Sequence, residues 1–418
     1  MNVLVVGRGG REHALCYKFY QDASVSRVFC APGNAGIAAH AECLDIEETD
    51  QHALVSFAKE NDIALTVIGP EQPLAEGLTD LFLAEGLKVF GPTQEASAIE
   101  GSKAFAKELM KKYSIPTAGY ETFTSFQEAS DYIKKKGAPI VIKADGLAAG
   151  KGVVVAMTEA EALEAAEGML EHNRFGASSA KIVVEDFLDG EEFSFMCLVN
   201  EETIIPLALA QDHKRAYDND KGPNTGGMGA YSPVAHLPSA TEDKAMNEII
   251  KPVVQAMIKE GTPFTGVLYA GLILTEDGPK VIEFNARFGD PETQVVLHRM
   301  KSDLAQLLLN LLEDKTEEVK WSDHTVVGVV LASEGYPGSY EKGHSVESIL
   351  NAETFFYHAG TKKVDSQIVA DGGRVLLAAG SGKNVEAARD QVYDALNHVD
   401  ASHFFYRKDI GNKALNRS

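Results

Sequence analysis

Residues 280–294 read KVIEFNARFGDPETQ. The run opens apolar, as a strand does, and then spaces Glu283 and Asn285 two residues apart. Residues i and i+2 of a strand share one face. A carboxylate and an amide therefore arrive together, with Arg287, Asp290 and Glu292 just beyond. A solvated surface loop has no need of that order. A buried strand that delivers oxygen ligands and a guanidinium to an anionic ligand does.

Working outward, residues 1 to about 100 alternate short apolar runs with amphipathic segments. VLVV (3–6), RVFC (27–30), LTVI (65–68) and KVF (88–90) each stop at a turn: GRGG, APGNAG, GPEQPL and GPT. Helix-like stretches such as Asp50–Asn61 and Ala75–Glu85 lie between them. This βαβ rhythm predicts an α/β doubly wound parallel sheet, whose ligands sit at the carboxyl ends of the strands, where the turns fall. From Glu100 the texture changes. SKAFAKELMKKY reads as a helix, PIVIKADG and GVVVAM as strands joined by a Gly-rich loop, 159–171 as a helix, and KIVVEDF and EFSFMCLV as strands. The polar segment Gln211–Pro233 lacks periodicity and reads as a functional loop or lid. A helix at about 241–260, strands around VLYAGLIL and KVIEF, and one helix over QVVLHRMKSDLAQLLLNLLE follow. Near Trp321 a third texture begins, with VVGVVLAS, short strands near 355–358, 362–364 and 374–379, and a helix over about 384–397: a small α+β domain.

The chain has 418 residues, 44% hydrophobic and 24% charged, with 39 Lys and Arg against 61 Asp and Glu, a formal net charge of −22. That balance argues against a nucleic-acid or anionic-membrane partner. It leaves room for a phosphorylated small molecule, which placed cations and backbone N–H groups bind locally. Cys16, Cys30, Cys43 and Cys197 show no CxxC pairing and read as reduced thiols. MNVLVVGRGG lacks the cationic start of a signal peptide, and no apolar run is long enough for a bilayer, so a cytoplasmic protein is expected.

Two Gly-rich segments invite comparison with phosphate-binding motifs. Gly7–Glu12 (GRGGRE) follows a strand and opens a helix, yet the last glycine of G-x-G-x-x-G is replaced by Glu12. A nicotinamide cofactor is poorly supported. A phosphate at the helix N-terminus and a plain tight turn are both compatible with the segment. Gly146–Gly152 (GLAAGKG) falls one residue short of a P-loop and has Gly152 where Ser or Thr would hold magnesium. It also joins strand to strand, as a flexible flap over a triphosphate would, with more glycine than the alternative, an ordinary hairpin turn, needs.

Taken in order, IKADGLAAGKGVVV, VVEDFLDGEEFSF and EFNARFGDPETQ resemble the ATP-grasp ligases. GRGGREHAL, APGNAG, GPEQPLAEGL, QDHKRAYDNDKGPNTGGMGAYSP and RFGDPETQ extend the resemblance, over essentially the whole chain, to the phosphoribosylamine–glycine ligase (glycinamide ribonucleotide synthetase) family. The resemblance implies an N-terminal doubly wound domain (1–102), a two-lobed ATP-grasp unit (103–324, lid about 116–192) and a C-terminal α+β domain (325–418). It implies ATP-dependent ligation of glycine to 5-phosphoribosylamine in de novo purine synthesis. Small molecules are then the only partners, and a monomer is expected.

Site residues carried by the resemblance follow its motifs. Lys103 and Lys143 would meet the nucleotide phosphates, under a flap carrying Gly146, Gly150, Lys151 and Gly152. Glu185, Phe187 and Leu188 match the hinge that meets adenine, and Glu192 the ribose contact. Glu283 and Asn285 would hold Mg²⁺, or Mn²⁺ in its place. Gly271 stands near the position of a further acid in many relatives. Arg287 would act on the transferring phosphoryl group. Gly9, Gly10, Arg11 and Glu12, with Asn34 and Glu71, would meet the amine substrate. Asp212, Lys214, Asn224, Thr225 and Gly226 would close on it or on glycine. Asp290 and Glu292 serve equally as partners of the glycine ammonium or as helix N-cap acids. Arg287 has its own alternative, pairing with Asp290 or Glu292 to hold the loop. His13 and His213 receive no catalytic role. Ligation or carboxylation of another purine intermediate, nicotinamide-dependent dehydrogenation and a non-catalytic binding module are the competing readings.

Overall fold

The apolar run Asn2–Gly7 becomes the central strand of a five-stranded parallel sheet in a computed structural model that describes residues 1–146, 152–172 and 180–415. The order across the sheet is Glu42–Cys43, Arg27–Pro32, Asn2–Gly7, Ile63–Ile68 and Val89–Phe90. The order in which strands are added reverses beside Asn2–Gly7, so the turns after Gly7 and Ile68 flank the crevice where doubly wound sheets bind ligands. Val3, Leu4, Val5 and Val6 are fully buried. Each such aliphatic side chain contributes about 1.5–3 kcal/mol, which is why this strand tolerates no polar residue before the turn. The helix expected over Ala75–Glu85 is instead two, Glu71–Ala75 and Leu78–Ala84. Gly77 breaks it with φ of +84°, a conformation that suits glycine.

Two antiparallel sheets face each other beyond residue 100. The lid sheet has the order Tyr120–Phe123, Ile182–Asp186, Ile140–Ala144, Val153–Ala156, backed by helices Phe126–Lys136 and Glu159–Leu170. The central sheet runs Thr203–Pro206, Glu191–Asn200, Thr265–Thr275, Gly278–Asn285. Between them lies helix Lys103–Lys112, capped by the Ser102 hydroxyl, which accepts from Phe105 N. Thr117 stitches lid to central sheet by donating to the Val281 carbonyl at 2.7 Å.

Two sequence expectations are corrected here. The helix expected across 294–313 divides into Glu292–Leu297 and Leu304–Leu311. Asp303 caps the second piece, and distant Asp22 accepts from Leu304 N and Ala305 N. Those carboxylates compete successfully with helix continuation. The segment Gln211–Pro233 is not a bare loop. Gln211–Asp212 and Gly229–Ser232 join the C-terminal sheet, ordered Gln211–Asp212, Gly229–Ser232, Thr325–Ser333, Arg374–Gly382, Phe355–His358. Arg215–Tyr217 and Lys221–Asn224 form a separate two-stranded hairpin. The helix expected near 241–260 runs through Ala240–Ala245 and Lys251–Lys259 with a π turn at Met246–Ile250. Among the described residues no helix is long and apolar enough to cross a membrane.

Candidate active site

A cavity of about 720 Å³ runs from between the lid and central sheets to the carboxyl end of the N-terminal sheet. Register explains its floor. On the central sheet Glu283 lies opposite Gly271, and Asn285 opposite Tyr269. A Cβ at Gly271 would come within 3.3 Å of the Glu283 Cγ, so the neighbouring strand offers no second acid and little room for one. Lys214 Nζ lies 3.3 Å from Glu283 Oε1 and 3.9 Å from Glu192 Oε2. Lys214 pulls the Glu283 carboxyl down to about 2, against burial, with Lys143 and Lys103 assisting. Glu283 is thus an anion at any physiological pH.

The lid side supplies further cations. Lys143, on Ile140–Ala144, donates to the Ile282 carbonyl at 2.9 Å and pairs with Glu185 Oε1 at 2.9 Å. Lys103 donates to the Gly146 carbonyl at 2.8 Å. Gly146, Gly152, Phe187, Leu188 and Glu192 all line the cavity, beside an apolar wall that includes Val141, Val153, Val155 and Ile273. Gly150 and Lys151 lie outside the described residues. Glu283 and Asn285 fit a single Mg²⁺ in donor chemistry: hard oxygens, few in number, for an ion that keeps waters and phosphate oxygens as its other ligands. Among the described residues no cluster of three or more His, Cys, Asp or Glu side chains offers an all-protein site.

At the other end, Gly9, Arg11 and Glu12 line the cavity at the head of helix Gly10–Gln21. The Glu12 carboxylate folds back to accept from Gly9 N and pairs with Arg11 Nε. A Cβ at Gly69 would meet Glu12 Oε1 at 1.9 Å, and one at Gly7 would meet its Cγ at 2.7 Å. The carboxylate fills the space at the helix head where a dinucleotide's pyrophosphate would sit, which removes the dehydrogenase reading on steric and charge grounds.

Two expected substrate residues are not brought to the cavity. A Cβ at Gly10 would come 2.7 Å from Gln294 Nε2, so this glycine permits close packing of helix Gly10–Gln21 on Glu292–Leu297. Asn34 is spent on its own turn. Its amide donates to the carbonyls of Arg8 and His358, and its oxygen accepts from Gly36 N and Ile37 N.

Arg287 lines the cavity, held by Glu100 Oε1 at 3.1 Å and Glu71 Oε2 at 3.5 Å. Burial alone would lower its pKa, but Glu100 and Glu71 outweigh burial and raise it. It does not pair with Asp290 or Glu292, which corrects the loop-holding alternative. Asp290 pairs with Arg374 at 3.1 Å and accepts from Gln294 Nε2 at 2.8 Å. Glu292 accepts from the Tyr269 hydroxyl and, at 2.9 Å, from Ser194 Oγ. Pro291 is the N-cap of Glu292–Leu297 and no side chain caps it, so neither acid is an N-cap. Asp212, Asn224, Thr225 and Gly226 line the same end. Burial, with Glu292 nearby, pushes the Asp212 carboxyl well up. Thr225 Oγ1 donates to the Lys214 carbonyl at 2.9 Å, and Gly226 N to the Tyr336 hydroxyl at 3.1 Å.

Sequence reading missed Glu100, Lys107, Tyr269 and Arg374, all of which line the cavity. Lys107 had a signal, since it follows Lys103 by four on one helix and so shares its face. It pairs with Glu185 Oε2 at 2.9 Å. Arg374 had none, coming from a strand of the C-terminal sheet far along the chain.

Comparison with known proteins matches three family models: phosphoribosylglycinamide synthetase N domain over residues 1–100, its ATP-grasp (A) domain over 101–293 and its C domain over 326–413. The phosphoribosylamine–glycine ligase of Halalkalibacterium halodurans is 55% identical over 417 residues, covering 99% of this chain and 97% of that one. That of Streptococcus pneumoniae serotype 4 is 52% identical over 419 residues, covering 99% and 100%. The crystal structure of the Thermotoga maritima phosphoribosylamine–glycine ligase superposes with a TM-score of 0.85 at 35% identity, covering 98% of this chain and 100% of that one. The biotin carboxylase domain of the Hydrogenobacter thermophilus 2-oxoglutarate carboxylase, solved with MgADP, shares the fold at a TM-score of 0.71 and 18% identity, covering 97% and 91%.

Proposed function

The chain belongs to the phosphoribosylglycinamide synthetase family, and on that premise we propose that it joins glycine to 5-phosphoribosylamine at the expense of ATP. The products are glycinamide ribonucleotide, ADP and phosphate. The observation that carries the reading is the continuity of one cavity. It links the lysines of the lid side to the Gly9–Glu12 turn, with Glu283 and Arg287 at the junction.

Glycine's carboxylate is a poor electrophile and needs activation. Its oxygen attacks the γ-phosphorus of ATP, the bond to the β-phosphate oxygen breaks, and glycyl phosphate forms with ADP. Such a transfer needs positioning and charge neutralisation rather than a protein nucleophile. Lys103 and Lys143 hold the phosphates. The main chain at Glu185, with Phe187 and Leu188, receives adenine, and Glu192 meets the ribose. Gly146 and Gly152, which line the cavity, stand beside the triphosphate. When bound at Glu283 and Asn285, Mg²⁺ (or Mn²⁺) supplies Lewis-acid neutralisation of phosphate charge. Arg287 steadies the oxygens of the transferring group, its orientation fixed by Glu71 and Glu100.

In the second step the amine nitrogen attacks the acyl carbon, the C–O bond to phosphate breaks, and the nitrogen gives up a proton. Arg11 receives the phosphate of the amine substrate, and Gly9 and Glu12 lie against its ribose. Asp290 is committed to Arg374, which leaves Glu292 for the glycine ammonium. Asp212 lines this end beside Glu292. Lys214, Asn224, Thr225 and Gly226 close this end against water, which would hydrolyse the acyl phosphate. The reading includes a cytoplasmic monomer with small-molecule partners, the division into domains 1–102, 103–324 and 325–418, and no role for nucleic acid or membrane.

Purified protein should release ADP only with glycine, phosphoribosylamine and Mg²⁺ together. Equal release with an unrelated acceptor amine would sink the assignment.

A further inference from the structure

Arg407 does not line the cavity, yet its side chain is only 1% exposed, and a buried guanidinium demands partners. Those partners are confined to two places. Arg407 donates to the Arg215 carbonyl and to Asp220 Oδ1, each at 3.0 Å, and to both oxygens of Asp409 at 2.7 and 2.8 Å. Asp409 in turn accepts from Asn219 N at 2.8 Å. The same C-terminal stretch makes three further attachments. Lys408 N donates to Asp218 Oδ1 at 2.8 Å, Gly411 N to His213 Nε2 at 3.3 Å, and Lys413 Nζ pairs with Asp220 at 2.8 Å.

What is clasped is the hairpin Arg215–Tyr217 and Lys221–Asn224, whose strands pair only with each other. An isolated two-stranded hairpin is marginal in water. This one carries Lys214 at its start and runs into Asn224 and Thr225 at its end, all lining the cavity. We propose that Arg407 is a positioning residue: through Asp409 and the Arg215–Asp220 stretch it holds the substrate-facing hairpin in its closed geometry, so affinity for glycine and the amine depends on a side chain that touches neither. The proposal rests on the reading above only in taking this hairpin to face those two substrates.

The test uses the full chain with Arg407→Met, Arg407→Lys and Asp409→Asn. Misplacing a substrate-facing group by about 1 Å costs on the order of 10²-fold. Arg407→Met should raise KM for glycine or phosphoribosylamine about 10- to 100-fold while KM for ATP stays within about twofold. Trypsin should cut after Lys214, Arg215 and Lys221 faster than in the wild type. Arg407→Lys, which keeps the charge but not the fork, should fall between. If Arg407→Met does not fold, Asp409→Asn, at the other half of the clasp and outside the cavity, should show the same KM split in smaller measure. Unchanged KM values with unchanged cleavage would overturn the proposal, and so would all three KM values rising together. A wild type that releases no ADP with glycine would instead defeat the function, while the cleavage rates still decide the clasp.

Discussion

The two ends of the cavity use different cations for different purposes. Around Glu185 and Glu283 stand Lys103, Lys107, Lys143 and Lys214, compact charges with three rotatable donors each; Lys107 meets Glu185, Thr117 and the Ala118 carbonyl, and the other three meet fewer partners. Around the N-terminal turn stand Arg11, Arg287 and Arg374, and each is already tied to an acid: Glu12, Glu71 with Glu100, and Asp290. Lysines with donors to spare suit a triphosphate that arrives with its own geometry. Planar forks fixed by carboxylates suit a site whose shape must exist before a labile amine enters.

The largest break in this comparison comes at the lysine end. Glu283→Ala removes the carboxylate that Lys214, Lys143 and Lys103 share. Turnover should drop by at least about 10²–10³, the loss typical of a charge-stabilising group, while the variant still melts cooperatively. Near-normal kcat at ordinary Mg²⁺ would mean that charge at this end is organised by some other residue.

At the arginine end the expected effect is smaller and double. Arg287→Lys replaces a fork spanning Glu71 and Glu100 by a point charge that satisfies one of them. Glu100 is buried and its pKa is raised, first by burial and despite Arg287. Both kcat and kcat/KM should fall together by about 10²-fold, with KM for ATP little changed. The melting temperature should fall as well, because a buried acid loses part of its partner. A lower melting temperature with turnover retained would assign Arg287 to holding the cavity alone, and the contrast between the two ends would then be structural rather than catalytic.

Physical locality separates what the sequence disclosed from what it withheld. Strands such as Asn2–Gly7 and Ile63–Ile68 announce themselves because apolar runs end at turns their own residues dictate. The i, i+2 placement of Glu283 and Asn285 is equally local, and so was readable. The break after Leu297 was not, since Asp22 completes the cap of the following helix from 282 residues away. The order of 211–233 was hidden for the same reason: its ties are to Arg374 and Arg407. Asn34 shows the opposite failure, in which a residue type that serves ligands also serves structure: its amide oxygen is taken by the turn and its NH2 by the carbonyls of Arg8 and His358.

Lys107 offers the finest test of the contrast, because a lysine end can titrate where an arginine end cannot. Burial lowers the Lys107 ammonium to about 8, outweighing the opposing pull of Glu185. An unfolded lysine titrates near 10.4. Between about pH 8 and 10 the unfolded chain therefore keeps a proton that the folded chain sheds. Stability attributable to this group rises with pH across that window, since the unfolded state binds more protons there. Lys107→Met removes the group and its slope. The difference in melting temperature between wild type and Lys107→Met should accordingly move in the wild type's favour from pH 8 to pH 10, by the equivalent of about 1–3 kcal/mol. Arg287, whose pKa is raised, keeps its charge throughout the same window. A difference that stays flat, or that moves against the wild type, would mean that Glu185 holds the Lys107 proton as firmly as water does, and that the lysine end is as fixed in charge as the arginine end.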